Sequence, residues 1–306
     1  MSAAEATGAG LAATPATAGP GTAGPGTAGR VPSPLAGWFR LLGSELRLIL
    51  LRIRNLILLA VLAAIPVIIG IAVWAQGGPS GGGGPAFLAQ LAGNGIFLAF
   101  LSLTVLLTLV LPLVVAVVSG DSIAGEASHG TLRYLLAVPA GRMRLLGVKY
   151  AAIVIFCVIA CLVVAGVGLI TGVALFGTGP VTLLSGTSVS LNDGLLRLLL
   201  VTLYVAAGMA ALGAIGLAIS TLTEHPIAAI AAILVITVAS EVTDQVSQFA
   251  VVHPYLPTHW WLSFDGLLRS PVDWTEAGQG LASFCIYAVI FCLFAWARLA
   301  TADVTS

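Results

Sequence analysis

The stretch Gly120–Lys149, GDSIAGEASHGTLRYLLAVPAGRMRLLGVK, decides how the rest of the chain is read. It carries Asp121, Glu126, Arg133, Arg142, Arg144 and Lys149 in a chain of 306 residues whose charged share is only 8%, and long apolar runs flank it on both sides. An ionised side chain at the centre of a membrane helix costs about 2.5–3.5 kcal/mol, and each Leu contributes only about 0.5 kcal/mol in return. The stretch is therefore expected outside the bilayer, as a long loop. Its internal pattern is helical. Asp121 and Ser122 are placed to cap a short helix through Ser128, Gly130 breaks it, and Thr131 caps a second helix whose Leu132, Leu135 and Leu136 share a face. Pro139 and Gly141 end that helix, giving an amphipathic elbow at the membrane surface.

Working outward, hydrophobic residues make up 59% of the chain and the mean hydropathy is +1.09, values expected of an all-α integral membrane protein and not of a soluble domain. Zero net charge argues against a nucleic-acid partner, because phosphate binding needs a clustered basic surface. Cys157, Cys161, Cys285 and Cys292 lie inside apolar runs with no His or carboxylate near them in sequence, so they read as small apolar side chains and no metal is expected. The chain contains no Walker A motif, no HExxH and no GxSxG, and no span pairs a nucleophile with a base. No catalytic residue and no cofactor of its own is expected; energy must come from a partner or a gradient.

In chain order, residues 1–33 are mainly Ala, Gly, Pro and Thr with AGPGT repeated, the composition of a disordered tail, without the basic and apolar regions of a signal peptide. Residues 34–55 read as an amphipathic interfacial helix. Arg40, Arg47 and Arg54 recur every seven residues on one stripe, with Trp38, Phe39, Leu42, Leu46 and Ile49 turned to the acyl chains. A plainer reading makes the same arginines the basic flank of the first span. A six-span domain over 56–299 follows, with spans at about 56–75, 95–118, 150–176, 195–220, 226–246 and 280–297, near the ~20 residues that cross ~30 Å of hydrocarbon. Pro66 kinks the first, Pro112 interrupts the second, and Arg298 stops the last before a tail at 300–306. Gly168 and Gly172 in the third allow close helix approach, within the chain or at a dimer seam.

The fifth run is uninterrupted only over Ile227–Ser240, too short to cross alone, so either Glu241 sits at the outer interface or the chain turns back. After it, a segment over 247–279 brings Tyr255, Trp260 and Trp261 to the headgroup level. Arg30, Arg40, Arg47, Arg52, Arg54, Arg133, Arg142, Arg144, Lys149 and Arg298 fall on one side of this arrangement, and only Arg197 and Arg269 on the other. That bias places both termini and the loop 120–149 in the cytoplasm, with the chain in the cytoplasmic membrane.

The pattern Glu126-x3-Gly130-Thr131-Leu132-Arg133-x-Leu135-Leu136-x2-Pro139-x2-Arg142-x6-Lys149 resembles the first cytoplasmic loop of type-2 ABC exporter permeases, the bacitracin- and daunorubicin-resistance permease family. The motif covers about a tenth of the chain. The resemblance implies that this loop forms a coupling helix docking on a separate ATPase. It also implies an external re-entrant helical segment between the last two spans. On this reading Glu126, Gly130, Thr131, Leu132, Arg133, Leu135, Leu136, Pro139 and Arg142 bind the ATPase. Two ATPase copies would hold ATP and Mg, and a second permease copy would complete a dimer. The substrate would be hydrophobic or amphipathic: a drug, antibiotic, lipid or glycolipid. Arg142, Arg144 and Lys149 are expected beside anionic headgroups as topology anchors. Glu241 and Asp244, with Trp260 and Trp261, are candidates for an outer gate, or else hydrate a helix end. The four histidines are expected at surfaces. Two other classes stay open: a gradient-driven secondary transporter, which would want midplane carboxylates, and a membrane scaffold without an ATPase.

Overall fold

The structure, a computed structural model, describes residues 34–75, 94–128, 142–178, 181–182, 188–269 and 271–301. The glycine-rich loop, the Gly130–Pro139 elbow, residues 1–33 and residues 302–306 lie outside the described residues. The helices are α1 (Pro34–Leu51), α2 (Ile53–Ala75), α3 (Ile96–Thr108), α4 (Val110–Ser128), α5 (Arg142–Phe176), α6 (Leu191–Ser220), α7 (Pro226–Asp244) and α8 (Thr275–Thr301). A two-residue antiparallel ladder, β1 (Val181–Thr182) with β2 (Ser188–Val189), joins α5 to α6. Among the described residues all of these but α1 and α3 are long and apolar enough to cross a membrane, a multi-pass helical architecture with six candidate spans.

α6 forms the axis. Ala206, Gly208, Ala210, Ala211, Gly213, Ala214, Gly216 and Ala218 keep its second half slim, so α8, α4 and α5 pack closely on it and bury that half. The outer helices carry the opposite signature: Ile57, Ile68 and Ile71 of α2, Val235 and Val238 of α7, and Ile286, Val289 and Ile290 of α8 are all exposed. Apolar residues on an outward face are stable against acyl chains and not against water.

The second span differs from expectation in a way Pro112 explains. The helix breaks at Leu109 (φ −141°, ψ −48°), one turn before the proline. A proline cannot donate to the carbonyl four residues back, here Thr108, and its ring clashes with it. Breaking at Leu109 places Pro112 in the first turn of α4, where no donor is needed. α4 then runs past the expected end at Val118 to Ser128. Asp121 and Ser122 do not cap a new helix: the Ser122 hydroxyl donates back to the Ser119 carbonyl at 2.7 Å. The ladder stays continuous because Gly120, Ile123, Ala124 and Gly125 are buried against neighbours. α5 likewise starts at Arg142, before the expected Tyr150, and its 35 residues reach about 50 Å at 1.5 Å per residue. α8 continues through Arg298 to Thr301, so that arginine lies in its last turn and does not stop it.

Gly168 and Gly172 pack within the chain. A Cβ at Gly168 would come 2.8 Å from the Ala99 Cα, and one at Gly172 would strike the Gly95 backbone, so α3 crosses α5 on this stripe. α1 also departs from its expected orientation. Leu42 with Trp38, Leu46 and Ile49 covers Val148 and Ala152 of α5, while Phe39, Leu41, Leu48 and Leu51 remain exposed. Of the residues expected on lipid, Trp38, Leu42, Leu46 and Ile49 are spent on α5 and Phe39 stays exposed. At its end Arg52 leaves the helical path, and the buried Asn55 donates its side-chain N–H to the Ile49 carbonyl at 2.8 Å, closing the elbow into α2.

Beyond α7 the chain folds back through three 3-10 turns, Ser247–Phe249, His253–Tyr255 and Asp265–Leu268. Hydroxyls and a guanidinium clamp it. Tyr204 of α6 donates to the Trp260 carbonyl at 2.5 Å, Tyr287 of α8 to the Tyr255 carbonyl, and Arg197 to the carbonyls of Leu267 and Arg269 at 2.6 and 2.7 Å. Trp261, expected at headgroup level, is instead 3% exposed and packs on Gly208 halfway along α6.

Candidate functional site

Among the described residues, the ion pairs of Lys and Arg collect at one end of the bundle, where the α1–α2 elbow, the end of α4 and the start of α5 meet. Lys149 is the most buried charge there, with 4% of its side chain exposed. Its Nζ lies 2.6 Å from Glu126 Oε1 on α4 and 3.5 Å from Glu45 Oε1 on α1. One turn and a half before Glu126, Asp121 Oδ2 accepts from the guanidiniums of Arg52 and Arg54, the latter at 2.9 Å. Two carboxylates on α4 thus grip two different neighbours, and Glu45 adds a third strut. A buried ammonium needs such partners, because transfer from water costs several kcal/mol unless anions replace the lost hydration.

A cavity of about 870 Å³ opens between these elements, with Glu45, Arg47, Arg52, Asp121, Glu126 and Lys149 on its wall. On the far side of α4, Ser220 at the end of α6 reaches into the backbone. Its buried hydroxyl donates to the Gly120 carbonyl at 2.8 Å and accepts from the Ile123 and Ala124 amides at 3.0 and 2.8 Å. α4 is therefore fixed to α6 by one side chain, and to the α1–α2 elbow, α2 and α5 by ion pairs.

These facts revise two expectations. Lys149 is no headgroup anchor but the centre of a buried triad, and the Glu126 carboxylate is turned onto it. Both were missed for the same reason: Glu126 and Glu45 are 23 and 104 residues from Lys149 along the chain. Ser220 had no signal at all, since a serine at a span end reads as a polar flank. Of the expected ATPase-contact residues, Gly130, Thr131, Leu132, Arg133, Leu135, Leu136 and Pro139 lie outside the described residues, and Arg142 is described only as the first residue of α5.

The outer candidates come together in part. Asp244 Oδ1 lies 2.6 Å from His259 Nδ1 and 3.8 Å from His253 Nδ1, and the two imidazoles are 6.0 Å apart. The 3-10 turns fold histidines six residues apart onto one carboxylate, so neither is a plain surface residue. Ser240 and Thr258 share a buried hydrogen bond of 2.7 Å just beneath. The Trp260 indole N–H is held by the Pro254 carbonyl at 3.0 Å, and Trp261 is in the core. Further along, burial raises the Asp265 carboxyl above its usual range, while hydrogen bonds from the Thr275 side chain and amide hold the Asp273 carboxyl below it. Among the described residues no group of three or more His, Cys, Asp or Glu is placed to hold a metal ion.

Residues 57–305 match the family described as "Protein of unknown function (DUF2705)". The chain belongs to that family. No curated protein matches it. The DUF2705 match runs from the second turn of α2 to beyond α8, so it contains Asp121, Glu126, Lys149 and Ser220. It leaves outside α1 and the elbow arginines Arg52 and Arg54 that Asp121 holds.

Proposed function

We propose that this DUF2705 chain is the transmembrane subunit of an ATP-driven exporter of the type-2 ABC kind, working as a dimer with two separate ATPase subunits. The observation that carries the reading is the brace between α4 and α5. The motif-bearing segment Gly130–Pro139 hangs between Ser128 and Arg142, and the Glu126–Lys149 pair ties the two helices together at 2.6 Å just inside that point. A loop held on a braced two-helix stalk passes a push into the bundle, whereas a loop on free ends absorbs it. ATP and Mg belong to the ATPase, and this chain contributes Thr131, Arg133 and the Leu135/Leu136 face as the docked surface. Glu126 acts from within, as the fastener of the stalk.

On the same reading α1 lies along the inner leaflet, with Leu48 and Leu51 on the lipid side, and the segment after α7 re-enters the outer leaflet as a plug between α6, α7 and α8. The substrate is hydrophobic or amphipathic, in keeping with the apolar outward faces of α2 and α7. Co-purification from native membranes in mild detergent tests it. Wild type is expected to bring a soluble-type ATPase that Arg133→Glu loses while remaining monodisperse. A monodisperse wild type that brings no ATPase removes the motor and the reading with it.

A further inference from the structure

The cavity at the ion-paired end is sorted by charge. At its buried end Lys149 stands between two carboxylates, Glu45 and Glu126. Three arginines, Arg47, Arg52 and Arg54, line the same cavity, and Asp121 is the carboxylate that pairs with the last two. The Arg52 and Arg54 side chains are 50% and 40% exposed, and Asp121 Oδ2 engages one N–H-bearing nitrogen of each. A guanidinium has five donors, so most of that capacity is unspent. Arg47 has no carboxylate at ion-pair distance among the described residues.

Beside the arginines the wall is apolar: Leu48 and Leu51 line the same cavity and are 66% and 68% exposed. A guanidinium excess next to bare leucines, at the junction between a surface helix and a candidate span, has the chemistry of an anionic amphiphile's site. A volume of about 870 Å³ is that of a pocket for an organic molecule and far exceeds what a bare inorganic anion fills.

We propose that this cavity holds the headgroup of an anionic phospholipid, its phosphate on Arg47, Arg52 and Arg54 and an acyl chain along Leu48 and Leu51. Bidentate guanidinium donors suit a phosphate, and the bound lipid would satisfy the charge that Asp121 leaves over. The lipid then braces the elbow between α1 and α2, next to the stalk. The inference rests on α1 lying at a lipid interface and is independent of the exporter reading.

The test is a titration of the full chain, purified in mild detergent, followed by native mass spectrometry. The probes are phosphatidylglycerol, phosphatidylcholine with the same acyl chains, and inorganic phosphate. Phosphatidylglycerol is expected to bind in preference to the other two. Arg47→Gln should weaken it about fivefold, the effect of one basic residue near an anionic headgroup. Asp121→Asn releases two guanidiniums and should tighten it by a similar factor, even though it removes an ion pair. Equal binding of the two lipids overturns the proposal, as does competition by millimolar inorganic phosphate. So does an Arg47→Gln variant that binds like wild type, the result expected if a second copy or another segment of the chain fills the cavity. Lipid selectivity lost while the wild type still brings its ATPase sinks this site alone; selectivity kept without an ATPase sinks only the exporter reading.

Discussion

Lys149 shows what a single residue decides here. Removing it takes the ammonium away from two carboxylates, Glu45 and Glu126, whose side chains are only 15% and 23% exposed. Lys149→Ala is expected to cost about 3 kcal/mol, the low end for a broken buried pair because some water reaches the carboxylates. In the background of Glu126→Gln the same change should cost at least about 1 kcal/mol less, which a double-mutant cycle of thermal unfolding in detergent reads directly. Ser220→Ala takes one hydroxyl from three backbone groups of α4 and should cost about 1–2 kcal/mol in the same assay. Asp273 gives the pH dependence. Its carboxyl is held below the usual range by Thr275, whose amide donates to Oδ1 at 2.9 Å, so its contribution is present above the ordinary aspartate range and is lost as pH falls through its lowered value. Amide protection at the first turn of α8, taken relative to the intrinsic exchange rate at each pH, should therefore fall on acidification, and Asp273→Asn should flatten that response.

At the scale of elements, the close crossing of α3 over α5 makes a sharper prediction than any single ion pair. Gly172→Ala puts a Cβ into the Gly95 backbone, which cannot move aside as a side chain can, and should cost about 3 kcal/mol. Gly147→Ala in the same helix meets nothing within 4 Å and should be neutral or stabilising by up to ~1 kcal/mol. Melting curves of the two variants by circular dichroism separate packing from helix propensity. The helices themselves were legible, because an apolar run long enough to cross a bilayer admits few other structures. Their ends were not. Asp121, Glu126 and Lys149 looked like loop residues since a lone charge breaks a span, and only the fold supplies partners up to 104 residues away. Pro112 was readable as an interruption, but its effect falls on the turn before it. The apolar face of α1 was legible as apolar without any sign of whether lipid or α5 covers it.

For the whole molecule, the sorting of basic residues to one end is the argument for the proposed topology, and the structure bears on Arg197, one of its two exceptions. Arg197 spends its guanidinium on the carbonyls of Leu267 and Arg269, so it acts as a clamp within the chain more than as a charge facing a leaflet. On the proposed topology, the basic bias toward the end with Arg52, Arg54 and Lys149 is then opposed by Arg269 more than by Arg197. Ser44 of α1 belongs to that end and Ser247, after α7, to the other, and both are exposed. With the four native cysteines replaced, Ser247→Cys should react with a membrane-impermeant maleimide on intact cells, and Ser44→Cys only after the membrane is opened. The opposite pattern would put the Gly130–Pro139 segment outside the cell, where no ATP-driven partner could reach it, and the exporter reading would fall on geometry before any transport was measured.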